Sequence, residues 1–168
     1  VTRNIAAILY SISKEATRIL KGDRATIYIY DDEKEELFSY IASKLEIDEI
    51  RLKIGEGIAG QVALKRENMI VNDAENSPFF NKDFDAQTNY QTKNLITVPL
   101  LNDENDLIGL IQVLNKQNGD FNELDLESLQ ILGSVAAIAI EQAQLSNQNQ
   151  LLKEYNRQLI QNFNAGIF

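Results

Sequence analysis

In the stretch Glu49-Ile50-Arg51-Leu52-Lys53-Ile54, the apolar residues Ile50, Leu52 and Ile54 alternate with the cations Arg51 and Lys53. That is the period of a β-strand with one dry and one wet face. No other feature constrains the fold as strongly, because a parallel strand buried on both faces reads as a nearly continuous apolar run. The pattern predicts an antiparallel sheet. Other short β-rich runs fit the same sheet: Ala25–Tyr30 and Glu36–Ala42 form a hairpin around the acidic turn 31–35, MIVND adds a strand, and LITVPLL and DLIGLIQVLNK join through Asn102-Asp103-Glu104-Asn105. About six strands are expected.

Helical periodicity frames them. Ile5, Ile8, Leu9, Ile12, Ala16, Ile19 and Leu20 lie at helical spacing with Gly22 as a stop, which predicts an amphipathic entry helix. Asn122 can cap a second helix that meets no Pro, and no Gly between Gly133 and about Asn164. Along it Ile131, Ile138, Leu145, Leu152 and Leu159 recur every seven residues, beside a seam of Val135, Gln142, Asn149, Asn156 and Phe163 that is polar in its middle. Buried amides at such positions set the register of a paired helix at a cost in stability, so a weak parallel pairing of two copies is expected. A solvated connecting helix is the plainer alternative.

Between strand and short helix stands Gly55-Glu56-Gly57-Ile58-Ala59-Gly60, a literal G-x-G-x-x-G with Asp73 ending the following strand. A dinucleotide site is disfavoured, because the preceding strand alternates and no series of βαβ units follows. What remains is a glycine turn feeding a helix, whose first backbone N–H groups at Ile58 and Ala59 can hold an anion; a plain tight turn is the alternative. The polar segment from Ala74 to Lys93 mixes aromatics, hydroxyls and carboxylates and is a candidate lid over a heterocycle.

The chain contains neither His nor Cys, which excludes Ser-His-Asp and Cys-His nucleophiles, thiolate or imidazole metal sites and disulfides. Its carboxylate clusters fall on turns, where solvation explains them better than acid–base catalysis. No enzymatic activity and no metal or permanent cofactor are expected. A net charge of −9 over 168 residues makes nucleic acid a poor partner. No apolar run approaches the length of a membrane span, so a cytoplasmic fragment of a longer protein without membrane insertion is expected.

Over roughly residues 4–143 the sequence resembles GAF domains of cyclic-nucleotide phosphodiesterases and cyanobacterial adenylyl cyclases. The matching residues are Arg24-Ala25-Thr26, the run Gly57-Ile58-Ala59-Gly60-Gln61-Val62-Ala63, and Asp85, Thr88, Tyr90 and Thr92 followed by Asn94-Leu95 and Pro99-Leu100. Asn115, Lys116, Phe121 and Asp125 match the Asn-Lys-Phe-Asp signature of nucleotide-binding members. The resemblance implies an α/β (α+β) GAF/PAS-like sandwich: a mostly antiparallel six-stranded sheet, terminal helices on one face and a ligand pocket on the other. It divides the chain into an entry helix (1–22), the domain proper (23–144) and a linker helix toward an output domain (145–168).

By the same resemblance Thr26 would face a base or ribose, Ile58 and Ala59 would offer N–H groups to a cyclic phosphate, and Asp85, Thr88 and Thr92 would close the lid. Arg24 and Gln112 would be polar wall residues, and Ile27, Ile41 or Tyr90 would supply apolar faces for a purine. Asn115, Lys116, Phe121 and Asp125 would be structural, with a Lys116–Asp125 pair tying a central strand to the last helix. Bound cAMP or cGMP is implied, with the Arg24-x-Thr26 pattern favouring cAMP. The expectation is a bacterial regulatory sensor that dimerises through its terminal helices; a ligand-free GAF dimerisation module is the alternative.

Overall fold

The computed structural model describes residues 2–43, 46–80 and 91–166, with the side chains of 2–3, 40–43 and 46–49 left aside. The elements run α1 (Thr2–Leu20), β1 (Gly22–Asp31), β2 (Glu36–Ser43), β3 (Glu46–Lys53), α2 (Gly57–Lys65), β4 (Met69–Val71), a 3-10 turn (Ala74–Asn76), β5 (Leu95–Leu101), β6 (Leu107–Lys116) and α3 (Glu123–Gly166). The six strands form one sheet in the order β3-β2-β1-β6-β5-β4, and neighbouring strands are antiparallel throughout. An all-antiparallel sheet removes the parallel crevice a dinucleotide fold requires, as the alternating β3 segment foretold.

The central strands are apolar on both faces, and each face has its own cover. Ile27 and Ile29 of β1, Ile96, Val98 and Leu100 of β5, and Ile111 and Val113 of β6 share one core with Ile5, Leu9, Ile12, Ala16 and Leu20 of α1. The same core takes Leu129, Ala136, Ala137 and Ile140 from α3. The terminal helices thus lie together on one face. Gly133 permits the approach of α3, because a Cβ there would come within 2.9 Å of Leu100 Cδ2. On the opposite face α2 lies across the sheet, with Ala59 and Ala63 among Tyr28, Leu37 and Leu110 and with Ile58 and Val62 against Leu95.

The β2–β3 hairpin pairs with β1 only over Ile29↔Phe38, Tyr30↔Leu37 and Asp31↔Glu36, whereas β1 pairs with β6 from Gly22↔Lys116 to Ile29↔Gly109. The first half of β1 therefore has one edge turned toward α1. A groove of about 360 Å³ opens there, with Tyr10, Ser13 and Thr17 on one wall and Arg24, Thr26 and Ser39 on the other.

Candidate functional site

Across the sheet face away from α1 and α3 runs a row of cross-strand neighbours: Thr26 pairs with Gln112, Gln112 with Thr97, and Thr97 with Met69. Thr26 and Gln112 are half-buried, and Thr97 is 0% exposed. The apolar clusters under α2 lie on either side of this row: Leu95, Leu114 and Ile58 in one, Leu110, Tyr28 and Ala59 in the other. The first turn of α2 therefore stands over the polar row.

That turn leaves the first backbone N–H groups of α2 outside the helical ladder. Gly55 (φ 90°) and Gly57 (φ 65°) adopt the left-handed backbone that side-chain-bearing residues avoid. Gly55 N–H donates to Gly60 C=O (3.0 Å) and Gln61 Nε2 donates to Gly55 C=O (2.9 Å), which folds the turn back on its helix. The first helical bond runs from Gly60 N–H to Glu56 C=O (3.0 Å), and the cap residue Glu56 makes no side-chain hydrogen bond to the helix. The N–H groups of Gly57, Ile58 and Ala59 precede the helical ladder, where the helix dipole favours negative charge. Ile58 and Ala59 bury their side chains, so what they present there is backbone.

The segment 91–94, which leads into β5, is held by asparagines. Asn115, at φ 56°, accepts from Lys93 N–H (2.7 Å) and Asn94 N–H (3.3 Å) through Oδ1 and donates to Gln91 C=O (2.8 Å) through Nδ2. Asn94 in turn accepts from Lys116 N–H (2.9 Å) and donates to Gly119 C=O (3.3 Å). Thr92, between these anchors, is 5% exposed. Lys116 Nζ donates to Asp125 Oδ2 (2.6 Å), and the same oxygen accepts from Asn122 N–H (3.0 Å) while Asp125 N–H donates to Asn122 Oδ1 (3.0 Å). This reciprocal cap starts α3. Phe121 is buried in the core, and its backbone is clasped by the Asn72 amide at 2.9 and 3.2 Å.

Of the residues expected at a ligand site, Thr26, Gln112, Ile58 and Ala59 come together around the row, and Thr92 is buried in the segment that Asn115 holds. Arg24 is exposed beside the α1 groove. Asp85, Thr88 and Tyr90 and the side chain of Ile41 lie outside the described residues. Ile27 is corrected: it packs beneath α1 and α3, on the face opposite α2. Asn72, Asn94 and Thr97 carry contacts or burial that the sequence reading gave no role; only Asn94 stood within a quoted motif.

Burial pushes the Tyr28 phenol, on the α2 face, up to about 12, so it stays neutral in the fold. At the sheet's far corner the Arg51 hydrogen bond, with help from the backbone N–H groups of Lys34 and Glu33, holds the Asp31 carboxyl below its ordinary range. Among the described residues no group of acidic side chains is placed to hold a metal ion, and no helix is long and apolar enough to cross a membrane.

A sheet with a helix pair on one face and an anion-ready turn over a polar floor on the other defines a small-molecule-binding regulatory module. The GAF domain family profile matches residues 4–140, and the chain belongs to that family. It is 29% identical over 173 aligned positions to the dual 3′,5′-cyclic-AMP and -GMP phosphodiesterase 11 of Drosophila melanogaster, covering 93% of this chain and 12% of that protein. It is 32% identical over 143 positions to the cGMP-specific 3′,5′-cyclic phosphodiesterase of Drosophila virilis, covering 83% of this chain and 16% of that protein. The chain thus spans less than a fifth of the length of these relatives. Among solved structures, the GAF domain from a phosphoenolpyruvate-protein phosphotransferase of Coxiella burnetii superposes with a TM-score of 0.74 at 20% identity, over 86% of each chain.

Proposed function

We propose that the domain is a sensor that binds a cyclic nucleotide, cAMP in preference to cGMP, and passes its occupancy to an attached output domain. The observation that carries this reading is the uncapped first turn of α2 over the Thr26–Gln112 row, which pairs an anion site with polar groups for a base or ribose. Ile58 and Ala59 N–H receive the cyclic phosphate, Thr26 and Gln112 meet the sugar and base, and Asp85, Thr88 and Thr92 close the lid. The sequence resemblance adds Arg24 as a polar wall residue. The cAMP preference rests on the likeness of Arg24-x-Thr26 to cyclase-type domains.

Signalling follows from linkage. A ligand with higher affinity for the closed lid shifts the population toward it, and the Asn115 and Lys116–Asp125 contacts connect the lid stem to the start of α3. The readout is a homodimer: Leu124, Ile131, Ile138, Leu145, Leu152 and Leu159 recur every seven residues along the 44-residue α3, and each is about half exposed or more. A second copy covering this seam accounts for an apolar stripe that water disfavours.

Isothermal titration of the purified, nucleotide-stripped domain with cAMP and cGMP tests the proposal. Micromolar or tighter binding, stronger for cAMP, is expected. Absence of heat with both ligands defeats it and leaves the exposed seam to a ligand-free dimerisation module.

A further inference from the structure

Thr97 is fully buried in the middle of β5, and its Oγ1 has no hydrogen-bond partner among the described residues. A buried hydroxyl without a partner is destabilising by about as much as a lost hydrogen bond, and native structures keep few of them. Local structure does not require it. Valine has the same branched shape, fits a strand equally well and carries no polar atom. The hydroxyl is therefore available to a neighbouring polar group that turns toward it.

Its surroundings narrow the choice. Leu95 and Pro99 precede and follow it on the same face of β5, Met69 is its ladder partner on one side, and Gln112 is its partner on the other. Of these side chains Gln112 alone has strong hydrogen-bonding groups. Directly opposed residues in an antiparallel pair hold their Cβ atoms about 4.5–5.5 Å apart, within reach of a hydroxyl and a carboxamide. Gln112 is half-buried, and its ladder partner on the far side is Thr26.

We infer that Thr97 is a positioning residue for ligand recognition: its hydroxyl locks the Gln112 carboxamide when that amide turns to meet a base. The inference rests on the cyclic-nucleotide reading of this face. An amide presenting its carbonyl to a ring amino group turns its NH2 inward, and Thr97 Oγ1 accepts from it. An amide presenting its NH2 to a ring carbonyl turns its own carbonyl inward, and the Thr97 hydroxyl donates to it. A hydroxyl serves both orientations because it donates and accepts; valine serves neither, and leaves one end of the amide orphaned beneath the ligand.

The test is a double-mutant cycle read by titration with cAMP and cGMP, alongside thermal unfolding of the ligand-free proteins. Thr97→Val is expected to unfold at or above the wild-type temperature yet bind the preferred nucleotide about tenfold more weakly, the effect of one hydrogen bond. In a Gln112→Met background the same substitution is expected to cost nothing further, and Thr97→Ser, which keeps the hydroxyl, is expected to bind as wild type. Unchanged affinity of Thr97→Val, or an equal loss in both backgrounds, overturns the positioning role while leaving the sensor reading intact. Failure of the wild-type domain to bind either nucleotide removes the sensor reading and this inference with it.

Discussion

Asn115 offers the sharpest perturbation, because one side chain anchors the segment 91–94 that enters β5. Among the described residues its hydrogen bonds reach Lys93, Asn94 and Gln91 at 2.7, 3.3 and 2.8 Å. At a net contribution of about 0.5–1.5 kcal/mol each, and with the longest bond and the surface position at the low end, they amount to about 2 kcal/mol. The backbone at φ 56° adds a second term that can be separated from the first. Glycine adopts this conformation freely, so Asn115→Gly isolates the side-chain bonds, whereas Asn115→Ala incurs about 1 kcal/mol more for a Cβ in the left-handed region. For a domain of this size 1 kcal/mol corresponds to about 2–4 °C, so unfolding is expected about 4–8 °C lower for the glycine variant and about 6–12 °C lower for alanine. Hydrogen exchange distinguishes a local from a global effect. The amides of Lys93 and Asn94 are expected to exchange about 30-fold faster in Asn115→Gly, while core amides such as Ile111 change only with global stability. A glycine variant that melts within about 1 °C of wild type, with unaltered exchange at Lys93, refutes the anchoring argument.

Three further outcomes are expected. Because the Tyr28 phenol is raised from 10.0 to about 12, the folded state keeps its proton after the unfolded chain has lost it, so this contribution is complete below about pH 10 and is lost as pH rises toward 12, by up to about 3 kcal/mol; urea unfolding at pH 8 and above pH 11 should show a loss in wild type that shrinks in Tyr28→Phe, and equal losses would contradict it. Lys116→Met leaves the Asp125 carboxylate, with only 12% of its side chain exposed, without its cation, and is expected to cost about 2–3 kcal/mol by urea unfolding. Adding Asp125→Asn, which retains an acceptor for the α3 cap, should recover part of that loss. Leu152→Lys with Leu159→Lys is expected to give a folded monomer by sedimentation, since both positions lie on the exposed α3 seam; a wild-type domain that is itself monomeric at high concentration sinks the dimer.

The strand and helix pattern was legible in the residues because each element has one periodicity and one set of end signals. Ile50, Leu52 and Ile54 alternate with cations, which declared an antiparallel strand before any pairing was known. The Asn122–Asp125 spacing marked the start of α3, and the glycine turn at 55–57 placed an anion-ready helix start after β3. The motif likeness gathered Thr26, Ile58, Ala59 and Gln112, four residues from three separate segments.

What the chain alone left open was which face each residue serves. β1 buries Ile27, Tyr28 and Ile29 in succession, so its pattern has no wet side from which to read a parity. The expectation of Ile27 on the ligand side fails for that reason, and the packing of α1 and α3 turns it the other way. The asparagine clasp was hidden for a related reason: Asn72, Asn94 and Asn115 bond to backbone groups far away in sequence, and the identity of an amide side chain says nothing about which distant N–H it meets. Thr97 reads as an ordinary strand threonine until the sheet and α2 bury it beside Gln112. Periodicity and capping are local and survive in one dimension; face, clasp and orphaned hydroxyl exist only once distant segments share a volume.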